Sequence, residues 1–273
     1  MNLSSVARIF PFLGTFLQPV KAVGLPTMMA SAFKECNITI AVQGETTGWN
    51  APGKAALLFG NHSRGFEPVV LMALAGSLHR YDFRVIAIPN IGSSKLFELL
   101  DSRHGSNFTL PVLPGLLAKE RKHIWNHFFF YRLFHYRTLP TRAALKEANL
   151  RTLSKAAQLL EAGSMVTIFP TGSRSGNTFG RWHCGIGEII SHLSTASRAN
   201  MLLVPFLFEN DYANHRLAKA FAERCLGRVP RQQSFTLRLG HQGSCLDLLG
   251  QETDPQAITE VLRKQYRESF FYA

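Results

Sequence analysis

A histidine and a carboxylate stand five residues apart in Asn61-His62-Ser63-Arg64-Gly65-Phe66-Glu67, directly after the apolar run 55–59. On a single helix that offset is roughly 140°, so the two side chains would not share a face. They meet only if the chain turns between them. A strand ending near His62, a turn through residues 63–66 eased by Gly65, and a helix opening at Glu67 would bring them together. Glu67 could then hold the imidazole in one tautomer and stabilise its protonated form. His62 could take a proton from an attacking hydroxyl. A structural histidine at a strand end fits the same residues, so this segment alone leaves both readings open.

A second segment, Phe169-Pro170-Thr171-Gly172-Ser173-Arg174-Ser175, follows the apolar run 165–169. Thr171, Gly172 and Ser173 can form a turn rich in backbone and hydroxyl donors. Arg174 can grip a phosphate through two parallel hydrogen bonds. An ordinary polar loop is the plain alternative. No Gly-Lys-Ser/Thr ending is present, so a P-loop is excluded. Arg174 fills the central position between Gly172 and Gly176, which excludes a serine-hydrolase elbow. A base beside an anion cradle suits activation of a hydroxyl near a phosphate.

The elements that must position these segments are legible as alternating strands and helices. Residues 37–42 alternate as a strand, and 46–53 form a polar turn. The run 55–59 is continuous and apolar, as in a parallel sheet buried on both faces. Glu67 and Pro68 open a helix to Leu78, with proline and a carboxylate suited to the first turn. Strands are predicted over 83–88, 165–169, 201–207 and 235–239. Helices are predicted over 145–162, around 187–197, and from Asp254-Pro255 to about Phe270. This order predicts an α/β fold: a mixed, mostly parallel sheet flanked by helices, with an N-terminal helical element.

The chain has 273 residues, enough for one large domain, and 46% of them are hydrophobic. A formal net charge of +12 favours acidic partners such as anionic lipid or an acidic carrier protein. Charge alone would also suit nucleic acid, but no recognised nucleic-acid motif accompanies it, and no such partner is expected. Cys36, Cys184, Cys225 and Cys245 form no CxxC pair, and no metal-binding cluster is evident. A reducing, cytoplasmic setting is the default. Residues 9–20 and 22–33 carry no charge, but Lys21 separates them, and Pro11, Pro19 and Pro26 interrupt them. Each is too short to span a bilayer. Residues 1–36 are therefore read as a helical element that packs on the domain or lies at a membrane interface, with the main domain over 37–273. Residues 116–140 interrupt the pattern with aromatics and bases, as in His127-Phe128-Phe129-Phe130-Tyr131-Arg132. Such a mixture suits an anionic membrane surface, and equally a helix with one aromatic face.

These segments together resemble the glycerolipid acyltransferases, the lysophosphatidic acid acyltransferase-like superfamily. Asn61-His62-Ser63 with Glu67 is similar to that family's His-x4-Asp/Glu motif, and residues 169–175 resemble its Phe-Pro-Glu-Gly-Thr-Arg-Ser motif. Leu203-Val204-Pro205-Phe206 resembles its later Val-Pro strand, and Val42-Gln43-Gly44-Glu45 its entry strand. Order and spacing agree over roughly residues 38–210.

The resemblance implies a glycerolipid acyltransferase-like αβ sandwich that moves a fatty acyl group from a thioester to a hydroxyl of a phosphorylated glycerolipid. It implies His62 and Glu67 as the catalytic pair. Thr171, Gly172, Ser173 and Arg174 would bind the acceptor, with Arg142 as the family's intermediate arginine. The co-substrate would be acyl-CoA or an acylated carrier protein, with no bound cofactor and no metal. The protein would sit in the cytoplasm, peripherally on an anionic membrane. Two departures stand out. Glu67 replaces the commoner Asp, and Thr171 replaces the family Glu. The second removes a carboxylate from the acceptor site. It keeps open an acyltransferase with another acceptor (a glycolipid, an amine or a specialised metabolite) or a non-catalytic lipid-binding relative.

Overall fold

The computed structural model describes residues 24–46, 48–61, 67–87, 109–111, 141–171, 182–209 and 213–271. Among them, seven strands form one sheet: β1 (Ile38–Gln43), β2 (Ala56–Gly60), β3 (Arg84–Ala87), β4 (Thr109–Pro111), β5 (Met165–Ile168), β6 (Leu202–Phe208) and β7 (Gln233–Leu239). Their order is β1-β7-β6-β2-β5-β3-β4, and the two-residue β8 (Gly243–Ser244) joins β6. β6, β2, β5, β3 and β4 run parallel. β7 turns back antiparallel to β6, and β1 pairs parallel with β7. The fold is α/β with a mixed, mostly parallel sheet, as the alternation of strands and helices predicts.

Helices cover both faces because the central strands are apolar on both. Along β2, Ala56 and Leu58 point into one core while Leu57 and Phe59 point into the other. The first core is roofed by α1 (Gly24–Glu35), α2 (Glu67–Ser77) and α6 (Ala213–Cys225). Met28, Met29, Phe33, Val70 and Leu217 fill it from the helix side. The second is roofed by α3 (Arg142–Glu161), α4 (Gly185–Ser191), the short α7 (Cys245–Leu249) and α8 (Pro255–Phe271). On α8, Ile258, Leu262, Tyr266 and Phe270 recur every four residues and lie in this core. α1 approaches α2 closely. A Cβ on Gly76 would stand 2.0 Å from the carbonyl oxygen of Pro26.

Several elements depart from the sequence expectation. The helix expected around 187–197 is two helices, α4 and α5 (Thr195–Asn200). Ser194 breaks them apart by capping α5, its hydroxyl accepting the Ser197 N–H at 3.2 Å. α3 begins three residues earlier than the apolar spacing indicates, because Thr141 caps it and accepts the Ala144 N–H. α6 has no counterpart in the sequence reading. No described helix is long and apolar enough to cross a membrane. Residues 1–23 and 112–140 lie outside the described residues, and with them most of the apolar start and the aromatic, basic insertion. All four cysteines are free thiols. Burial pushes the Cys36 thiol up to about 12.

Candidate functional site

The two marked segments leave the sheet side by side. β2 and β5 are parallel neighbours, with Phe59 opposite Ile168. The residues that follow, Asn61 on one strand and Phe169 to Thr171 on the other, therefore emerge at the same edge, about 4.8 Å apart laterally. The chain then diverges. After β2 it feeds α2 on one face, and after β5 it reaches α4 on the opposite face. Adjacent parallel strands whose following helices go to opposite faces leave a crevice at their C-terminal ends. That is where ligands bind in open α/β sheets.

Asn61 fixes the exit from β2. Its Oδ1 accepts the Phe208 N–H at 3.0 Å, and its Nδ2 donates to the Phe208 carbonyl at 3.4 Å. The side chain thus extends the β2–β6 ladder by one step and holds the backbone entering His62. Gly60 allows this approach, since a Cβ there would stand 2.2 Å from the Phe206 carbonyl oxygen and 2.5 Å from its ring. Gly60→Ala is expected to spread the strand ends and destabilise the protein by about 1–3 kcal/mol, the usual cost of overpacking. Thermal unfolding of the purified variant checks this. An unchanged melting temperature would show that the contact relaxes freely.

Behind this edge, Tyr266 of α8 donates its hydroxyl proton to the Phe206 carbonyl at 3.1 Å. Burial raises its pKa well above the ordinary tyrosine value, against a backbone hydrogen bond from Asn61 that lowers it. The hydroxyl therefore stays protonated and acts as a fixed donor. Trp182 packs edge-on against both Phe59, at 6.0 Å, and Tyr266, at 5.4 Å. The His183 N–H donates to the Pro170 carbonyl at 2.9 Å, so the excursion carrying the second motif is closed at its base. Sequence alone gives no signal for Tyr266 here, since it lies 205 residues beyond Asn61 and arrives only through packing.

The expected site residues fall as follows. Glu67 is the first residue of α2 and is 5% exposed. The N-terminal end of the helix dipole favours its carboxylate there. Thr171 is 7% exposed, at the point where the second segment leaves the sheet. His62, Gly172, Ser173 and Arg174 lie outside the described residues. Arg142 is the first residue of α3, and its side chain is likewise outside them. α3 returns antiparallel to β5, with Leu153 and Ile168 both beside Gly185. Arg142 precedes Leu153 by 11 residues, so it lies at the same end of the sheet but about 16 Å farther along the helix. Among the described residues, no three His, Cys, Asp or Glu side chains gather as a metal site would require.

No family model matches the chain, and no curated protein does. Among solved structures, a similar one is the 1-acyl-sn-glycerophosphate (LPA) acyltransferase PlsC from Thermotoga maritima. It shares 11% identity at a TM-score of 0.46, over 98% of this chain and 93% of that one.

Proposed function

We propose that this protein is an O-acyltransferase. It moves a fatty acyl group from an acyl thioester, on CoA or an acyl carrier protein, to a hydroxyl of a phosphorylated glycerolipid such as lysophosphatidic acid. The observation that carries this reading is the parallel pairing of β2 with β5, which starts both motif segments at one edge of the sheet. A base and a phosphate-binding turn that resemble the two halves of an acyltransferase site then have adjacent origins.

In this mechanism His62 takes the proton of the acceptor hydroxyl as its oxygen attacks the thioester carbonyl. A tetrahedral intermediate forms and collapses, the C–S bond breaks, and the departing thiolate receives the proton from the imidazolium. No covalent acyl-enzyme is needed, because the acceptor is itself the nucleophile. Glu67 orients the imidazole and stabilises its protonated form. Arg174, with Ser173 and Arg142, binds the acceptor phosphate. Peripheral attachment to an anionic membrane would bring the enzyme to this acceptor.

The direct test presents purified protein with a labelled acyl thioester and a panel of acceptors, with products identified by mass spectrometry. Transfer to lysophosphatidic acid or a close relative is the expected result. Transfer to no phosphorylated lipid would overturn the assignment. Glu67→Gln preserves volume but removes charge, so kcat should fall strongly with a smaller change in acceptor KM. Glu67→Asp should retain more activity than Gln, and the reverse order would refute the paired-carboxylate mechanism.

Thr171 favours a second reading. It is buried where the resembling family carries Glu. A buried carboxylate needs a charged or hydrogen-bonding partner, whereas a hydroxyl needs less. The acceptor of this chain would then differ in the group that contacts position 171. Under that reading Thr171→Glu suppresses the native reaction. Under the glycerol phosphate reading the substitution is tolerated.

A further inference from the structure

The turn between α6 and β7 holds two apolar side chains out in water. Val229 is 90% exposed and Leu226 is 64% exposed, the two highest exposures among large described apolar residues. Isolated exposed apolar residues are common on protein surfaces. This pair differs in being displayed by a rigid turn. Gly227, at φ 73°, ends α6, with the Gly227 N–H donating to the Arg224 carbonyl at 3.0 Å and the Arg228 N–H to the Glu223 carbonyl at 2.9 Å. That is the paired hydrogen bonding of a glycine helix stop. Pro230 is buried, and its carbonyl accepts the Asn37 side-chain amide at 3.4 Å. The turn is fixed at both ends, and its apolar tips are not folded back onto the protein.

Its charge and its place point to a partner. Arg228 and Arg231 are exposed beside Leu226 and Val229, and Lys34 is exposed at the neighbouring end of α1. β7 is antiparallel to β6, with Leu237 opposite Phe208. Residues 233–236 therefore run past the end of β6, at the edge where Asn61 binds Phe208. The turn enters the sheet from this edge. β7 is two strands from β2, about 10 Å laterally. The apolar, basic turn and the candidate site thus share one end of the molecule.

We propose that the 226–231 turn is a membrane contact. Leu226 and Val229 enter the headgroup boundary of an anionic bilayer, Arg228 and Arg231 pair with its phosphates, and the site edge is turned toward the lipid. Apolar tips with a basic collar are the composition that interfacial binding uses. The tips favour a bilayer over an acidic protein, which the arginines alone would also suit. The biological meaning of this contact rests on the proposed lipid acceptor, but its physical test does not.

The test is co-sedimentation of the full chain with vesicles of phosphatidylcholine, alone or mixed with phosphatidylglycerol. L226S/V229S should lower partitioning onto the mixed vesicles about tenfold or more, since each buried apolar side chain contributes appreciably. R228A/R231A should remove most of the preference for anionic vesicles, at least about fivefold, and leave binding to neutral vesicles little changed. In V229W, the added fluorescence should be quenched by brominated lipid. Parental binding by L226S/V229S, or no quenching in V229W, would overturn the proposal. So would a parental dimer that L226S/V229S dissociates while vesicle binding persists, which would make the turn a contact between copies. None of these readouts uses turnover. Failure of the acyl-transfer reading would therefore appear as inactive protein that still binds vesicles through this turn.

Discussion

His62→Ala is expected to lower acyl transfer by about 10²–10⁴, the usual contribution of a positioned general base, while leaving the melting temperature at the parental value. The expectation follows from the neighbours of His62. Asn61 is pinned by two hydrogen bonds to the Phe208 backbone, and Glu67 is buried at the start of α2. The intervening residues must connect a fixed strand end to a fixed helix start. The Asn61 bonds to Phe208 and the burial of α2 in the first core hold these two anchors, so the fold should survive loss of the imidazole that Glu67 orients. Single-turnover rates with saturating thioester and acceptor measure the chemical step directly. Turnover near the parental rate, with matched thermal unfolding, would remove His62 from the mechanism and leave the sheet edge as a binding site only.

Much of this arrangement was legible because its signals are local. The run ending at Phe59 is apolar without interruption, and β2 is a central strand buried on both faces. Glu67-Pro68 begins α2, and Asp254-Pro255 begins α8, where Asp254 Oδ2 accepts the Ala257 N–H at 2.7 Å. The missed elements have weak or non-local signals. α6 carries Leu217 and Phe221 four residues apart, but they are set among Arg216, Lys219 and Glu223, and that short stripe is easily read as a polar connection. The break between α4 and α5 depends on one capping serine. The reversal of β7 and β1 relative to the other strands depends on sheet pairing, which no periodicity encodes. For the site, the order of the two motifs was readable. Their adjacency was not, because it follows from β5 inserting beside β2 across more than a hundred residues.

The opposite end of the sheet should be as sensitive in stability as the site edge is in turnover. Arg80 is fully buried, with its guanidinium spread over a polar cage. It donates to the carbonyls of Trp49 at 2.6 Å, Ala51 at 2.9 Å, Lys54 at 2.9 Å and Gly163 at 3.2 Å, and to both carboxylate oxygens of Asp82 at 2.8 and 2.6 Å. These carbonyls belong to the turn entering β2 and the turn entering β5, so one side chain ties together the starts of the two strands whose ends carry the motifs. Arg80→Met removes every donor and leaves the carbonyls and Asp82 without it. Four carbonyls lose their donor at roughly 1 kcal/mol each, for a total of about 3–5 kcal/mol, while Asp82, whose side chain is 32% exposed, is left partly solvated and adds little. At about 2–4 °C per kcal/mol for a chain of this size, the melting temperature should fall by roughly 6–20 °C. Arg80→Lys should recover little, because three donors on one nitrogen cannot reach acceptors arranged for a planar fork. At temperatures well below the lowered transition, kcat should remain parental, since the cage lies a strand length from the crevice. A loss of turnover at unchanged melting temperature would mean that the strand starts are coupled to the chemistry, and that the separation between a stabilising end and a reactive end is wrong.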